Sequence, residues 1–372
     1  MIKLLIPGGP AVFGTATRIT HPTARLKRLV VAVGFGSLLL FLSSCGNEAT
    51  DEEVAQTEDT SGAQSDSSAT SLDALNQAII NNPGSPQGYQ DRAMWHIENG
   101  NPKQALADFN LAIEADSAFA PAWENKSDLL YAMQAFEPCL EHLDACIRNV
   151  PGSTPCLLRR AEFAIHLRQY EEAFTYLNDA LRINDQLHEA YWMKGKIYEE
   201  TGVDEKAESS YATAVEVNPD FFDGFITLGI FHAERGNPIA EEYYLSAREL
   251  NPGSVEPLYN LALFLQEQGR QDEALGHYKD ILALDPANAT AAYNQGYIFL
   301  EYLQMYDSAA HWFTEAIDRL PYYHQAFYNR GLALESLDRS SEALADYNEA
   351  LRLKPDYTSA AFAKDRVLNE GN

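Results

Sequence analysis

Cys139, Cys146 and Cys156 are the residues whose type and spacing most invite a chemical reading, as a metal or redox cluster. Cys139 and Cys146 lie seven residues apart. On one helix that is a rise of about 10 Å, beyond disulfide reach. Cys146 with Cys156, on a following helix, stays open as a disulfide. His96 and His232 could act in proton transfer, and Glu199-Glu200 is a carboxylate pair. Neither is supported by its surroundings, because the carboxylates lie among many others on helix surfaces, where a solvated face is the default. The sequence has no Gly-rich phosphate loop, no H-E-x-x-H and no G-x-S-x-G. The expectation is therefore no enzyme, no cofactor and no metal site.

The elements that carry these residues explain most of them. His324–Tyr357 reads as two short amphipathic helices with a turn between them. Phe327, Gly331 and Leu334 mark one face of the first helix, and Ala343, Tyr347 and Ala350 mark one face of the second. Pro355 stops the second helix, having no N–H to give. Such a pair is too small to bury its own apolar face and needs a copy beside it. Copies are present. Pro83, Pro151, Pro219, Pro252, Pro286, Pro321 and Pro355 recur in the same place, with Ser117 and Asp185 filling the gaps. The steps are 34, 34, 34, 34, 33, 34, 35 and 34 residues.

Over roughly residues 86–355 this pattern resembles the tetratricopeptide repeat family, whose unit is a 34-residue helix–turn–helix. Each unit is numbered from 1, with the proline at 32. Position 8 holds Ala93, Ser127, Ala161, Gly195, Gly229, Ala262, Gly296 and Gly331. Position 20 holds Ala105, Cys139, Ala173, Ala207, Ala240, Ala274, Ala309 and Ala343. Position 27 holds Ala112, Cys146, Ala180, Ala214, Ala247, Ala316 and Ala350, with Ile281 as the one departure. Position 24 is large: Phe109, Leu143, Leu177, Tyr211, Tyr244, Tyr278, Phe313 and Tyr347. Cys139 and Cys146 thus stand where alanine usually does, and small-residue packing accounts for both. His96 and His232 share position 11, a packing slot.

The resemblance implies an all-α fold, a right-handed superhelix (α-solenoid) of about eight helix–turn–helix repeats over 86–357. An N-terminal half-repeat helix over 71–85 precedes it, with Ser71, Leu75 and Ala78 on positions 20, 24 and 27. A capping helix over 358–372 follows, its outer face carrying Lys364, Asp365 and Arg366. Gly100, Gly202, Gly236 and Gly269 fall at position 15, where a left-handed residue is needed. The 33-residue step is expected to shorten the turn near Asn237-Pro238, and the 35-residue step to lengthen it near Leu303–Tyr306.

Ahead of the repeats, Arg25–Arg28 and the apolar run Leu29–Leu42 form a signal-peptide arrangement, too short to span a bilayer comfortably. Leu42-Ser43-Ser44-Cys45 resembles the lipobox of bacterial lipoproteins. By that resemblance, segment 1–45 ends at a lipidated Cys45. Residues 1–24 make an unusually long preface to the signal, which leaves the true start open. Segment 46–70 carries seven acidic residues and no basic ones, and reads as a disordered tether of roughly 25–30 Å. The sequence carries a net charge of −27, and −32 beyond residue 45. Such a charge argues against nucleic acid and against direct docking on anionic lipid. The expected location is the bacterial cell envelope, lipid-anchored in the outer membrane and facing the periplasm or the cell surface.

In the tetratricopeptide family the first helices line a concave groove through positions 2, 5, 6, 9, 12 and 13. Those positions here carry Tyr259, Tyr293 and Tyr328, each followed by Asn260, Asn294 or Asn329, with Asn125 in the second repeat. The three Tyr-Asn pairs imply a ladder of carboxamides able to grip a peptide backbone. Trp192, Met193, Leu158 and Arg159 occupy the same slots earlier, and Glu98, Glu199, Glu200, Glu234, Glu267, Glu301 and Glu335 make part of the groove acidic. The basic two-carboxylate clamp of chaperone-binding relatives is not reproduced. The expected function is a membrane-tethered scaffold that holds extended segments of partner proteins in this groove. The alternative is a structural subunit of an envelope assembly of the outer-membrane or pilus biogenesis type.

Overall fold

The computed structural model describes residues 71–370, and these form eighteen α-helices, one π-helical turn and no strand. The leader, Cys45 and the 46–70 tether lie outside the described residues. Contacts divide the chain into two units, one ending at Asp185 and the next starting at Gln186. The first unit holds α1 (Leu72–Asn81) and three helix pairs: α2 (Pro86–Glu98) with α3 (Pro102–Ala115), α4 (Ala120–Ala132) with α5 (Phe136–Asn149), and α6 (Thr154–His166) with α7 (Tyr170–Ile183). The second holds five pairs: α8 (His188–Glu200) with α9 (Asp204–Val217), α10 (Phe222–Ala233) with α11 (Ala240–Leu250), α12 (Glu256–Glu267) with α13 (Gln271–Leu284), α14 (Ala289–Tyr297) with α15 (Tyr306–Arg319), and α16 (His324–Ser336) with α17 (Ser340–Leu353). It closes with α18 (Thr358–Glu370). Each unit is all-α and is built as an α-solenoid of stacked helix pairs.

Burial follows the repeat. Every residue at positions 20 and 27 is fully buried, Ile281 included, and every residue at position 24 is at most 2% exposed. Position 8 is small because the ring at position 24 of the same pair lies against it. A Cβ on Gly195, Gly229, Gly296 or Gly331 would stand 2.4–2.8 Å from Tyr211, Tyr244, Phe313 or Tyr347. In α18 the corresponding residue is Asp365, which is exposed.

All eight turns within pairs contain one left-handed residue at position 15. Four are the expected glycines, and the others are Gln134, Arg168, Gln304 and Asp338, with φ of 53° to 59°. A Cβ in that conformation costs roughly 1–2 kcal/mol, partly offset by the greater freedom of glycine when unfolded. Gln134 is exposed. Gln134→Gly is therefore expected to stabilise the first unit by about 0.5–1 kcal/mol, seen as a rise in denaturant midpoint. A lower midpoint would show that the turn does not hold this conformation.

The two length changes are absorbed differently from expectation. The extra residue of the seventh pair does not lengthen the turn at Leu303–Tyr306. It sits earlier, in a π-helical turn over Ile298–Tyr302 that continues α14. An insertion inside a helix is accommodated by one wider turn when both flanks must keep their packing register. In the fifth pair the missing residue does fall near Asn237-Pro238, but the turn is not shortened. Instead α11 begins only at Ala240 and loses its first turn.

In the first unit, Cys146 on α5 is bonded to Cys156 on α6, with Cα atoms 6.5 Å apart. Cys139 is buried and unpaired, and burial pushes its thiol up to about 11, which makes it a packing residue.

Candidate protein-interaction surface

Position 5 of one first helix faces position 6 of the next in the second unit. The Asn294 carboxamide donates to the Tyr259 hydroxyl at 3.4 Å, and Asn329 donates to Tyr293 at 2.8 Å. Trp192 does the same in other chemistry, its indole N–H donating to Thr227 Oγ1 at 3.0 Å. The tyrosines are held on their other side by rings. Tyr293 lies 5.5 Å from Phe313 and 4.9 Å from Tyr323, and Tyr328 lies 5.2 Å from Tyr357. Burial raises the phenols of Tyr259, Tyr293 and Tyr328 above their ordinary range.

This geometry corrects the picture of a row of carboxamides open to a peptide. Asn294 and Asn329 are 9% and 6% exposed, and each has an N–H engaged between repeats. Asn260 differs: the residue before it in the row is Ile226, which has no hydroxyl, and Asn260 is half-buried. Asn125, in the first unit, donates to Pro121 O on its own helix. Asn329→Ala is therefore expected to cost about 1 kcal/mol of stability through the lost hydrogen bond. A thermal melt unchanged from wild type would mean that the bond contributes nothing.

The acidic residues separate into two roles. At position 12, Glu199 accepts from Tyr211 Oη at 2.7 Å, and Glu335 accepts from Tyr347 Oη at 2.6 Å and twice from Arg366 at 2.8 Å. Gln266 takes the same place beneath Tyr278 at 3.4 Å. At position 13, Glu200, Glu234, Glu267 and Glu301 are exposed. In the first unit, Arg159 is held by Asp128 at 2.8 Å and Glu162 at 2.7 Å, over the Tyr131 ring.

Position 7 carries a device that the sequence reading missed. Arg330 makes two bonds to Asp346, at 2.8 and 2.7 Å, and one to Thr314 of the preceding pair at 3.1 Å. Arg92 repeats this in the first unit with Asp108 and Asn76. The available signal was an arginine sixteen residues before an aspartate, in the same register twice.

The histidines are packed. His232 stacks on Tyr243, and burial lowers its pKa. His142 stacks on Trp123 at 4.8 Å, and burial, more than nearby Lys126, pushes it down to about 4. Among the described residues no three His, Cys, Asp or Glu side chains are grouped to hold a metal ion, and no helix is long and apolar enough to cross a membrane.

Arrays of this kind define the helical-repeat class. Residues 324–357 match the Tetratricopeptide repeat family, as do 188–221 and the overlapping stretches 233–289 and 259–324. These stretches are tetratricopeptide repeats. Among solved structures, the C-terminal part of a TPR repeat-containing protein from Cytophaga hutchinsonii is 17% identical with a TM-score of 0.56. That match covers 64% of this chain and 98% of the other. The human Tetratricopeptide repeat protein 6 is 24% identical over 199 residues, 53% of this chain and 32% of that protein. The BBSome complex member BBS4 of Bos taurus is 27% identical over 225 residues, 51% of this chain and 43% of that protein. The chain thus spans less than half the length of these curated relatives.

Proposed function

We propose that this chain is a lipid-anchored interaction scaffold of the bacterial cell envelope, which holds an extended segment of a partner protein against the first helices of its second unit. The observation that carries the binding part is the row Tyr259–Asn294 and Tyr293–Asn329, which joins α12, α14 and α16 into one continuous face. A flexible segment laid across such a face can contact several repeats at once. The disulfide between Cys146 and Cys156 supports an oxidising compartment, as the envelope reading requires.

The test places a photo-reactive residue at Leu263 on α12 or at Leu245 on α11, in intact cells. Partner adducts from Leu263 and not Leu245 are the expected result. Adducts from Leu245 alone would overturn the groove reading in favour of a structural subunit packed through its outer face. The 74% exposed Phe362 on α18 speaks for that second reading. Fatty-acid labelling should mark the wild type and not Cys45→Ser, and equal labelling of both would remove the anchor.

A further inference from the structure

We infer that the segment held on the second unit is basic, with apolar side chains at intervals matched to the repeats; this rests on the groove reading above. Position 9 of three consecutive first helices is apolar and remains open to solvent. Ile230 is 40% exposed, and Leu263 and Tyr297 are half-buried. Four residues on, at position 13, each is followed by an exposed acid: Glu234, Glu267 and Glu301. Residues four apart share one helix face, so each repeat offers one apolar contact with one carboxylate beside it. Burial raises the Tyr297 phenol, and the Glu301 carboxylate raises it further. Arg235 turns to Asp204 at 3.0 Å, and Arg270 turns to Glu241 at 2.6 Å.

An apolar stripe alone would accept many chains. A parallel row of like charge selects among them, because an acidic segment meets repulsion at every repeat and a basic one meets attraction. Stacked first helices are roughly 10 Å apart by ordinary helix packing. An extended chain advances about 3.3 Å per residue, so its apolar residues should recur about every third position, with Lys or Arg between.

The experiment measures fluorescence anisotropy on the full chain with two labelled peptides of equal length. Both carry leucine at every third position, one with lysines between and the other with glutamates. The lysine peptide should bind about tenfold more tightly or better, and added salt should narrow the gap. Glu267→Gln with Glu301→Gln should bring the two peptides close to parity without changing the helical CD signal. Ile230→Ser should weaken both. Equal binding of the two peptides, with both weakened by Ile230→Ser, would overturn the charge preference and leave the groove reading standing. Binding of neither peptide, or binding indifferent to Ile230→Ser, would overturn both.

Discussion

Gly331→Leu should destabilise the last repeats by at least ~1–3 kcal/mol, the range for overpacking a core. The first atom added already meets Tyr347 at 2.5 Å. That ring cannot step aside, because it is fully buried and its hydroxyl is tied to Glu335, which in turn holds Arg366. Even Gly331→Ala should therefore destabilise. Gly276 on α13 provides the matched control, since nothing lies within 4 Å of an added Cβ there. Gly276→Ala should stabilise by about 0.5–1 kcal/mol, the ordinary gain for a helix interior. Opposite signs for one substitution at two helical glycines, read from denaturant melts, are the expected outcome. The same sign at both would show that position 8 does not face position 24.

The largest loss is expected from Asp346→Ala. Its side chain is 8% exposed and makes two of the three hydrogen bonds of Arg330, which is itself only 21% exposed. Removing the carboxylate leaves a guanidinium with little water, the Thr314 hydroxyl as its remaining bond and only the more distant Glu342 as counter-charge. Breaking a buried pair in this way costs about 3–5 kcal/mol. Replacing both partners with apolar residues of similar size, Asp346→Leu with Arg330→Met, should recover much of that. Hydrogen exchange should locate the damage in α16–α18 before it reaches α8. A single variant with wild-type protection in α16 would show that the pair contributes no stability.

The helix pairs and their packing slots could be read in the residues because they depend on size at fixed spacing. Alanine or glycine against tyrosine is a constraint that leaves few alternatives. The asparagine row could be located but not interpreted, because whether a carboxamide meets a ligand or a neighbouring hydroxyl depends on what stands one repeat earlier. Trp192 falls in the same slots by spacing, but its bond to Thr227 is not legible, since neither residue is tyrosine or asparagine. Non-glycine residues at position 15 escaped notice for a similar reason: φ is imposed by the turn, and Gln134 or Arg168 carries no mark of it. The spacing points the extra residue of the seventh pair to the turn, because insertions usually cost least there, rather than to the π-helical turn that holds it. Here the flanking slots Gly296 and Ala309 keep their packing, so the helix itself widened.

The row of bonds between first helices is interrupted between α10 and α12, at Ile226 and Asn260, and the interruption sits beside the shortened helix α11. Across that junction Ile226, Tyr244, Leu258, Leu261 and Leu265 share one buried apolar core, and two ion pairs lie outside it: Arg270 with Glu241 at 2.6 Å, and Arg248 with Asp280 at 3.3 Å. Ion pairs of this kind weaken as counter-ions accumulate, whereas the enclosed bonds on either side do not. The junction is therefore held mainly by burial, and only its outer margin responds to ionic strength. In dilute buffer the outer side is clasped, and in concentrated salt that clasp loosens while the enclosed core between α10 and α12 stays packed.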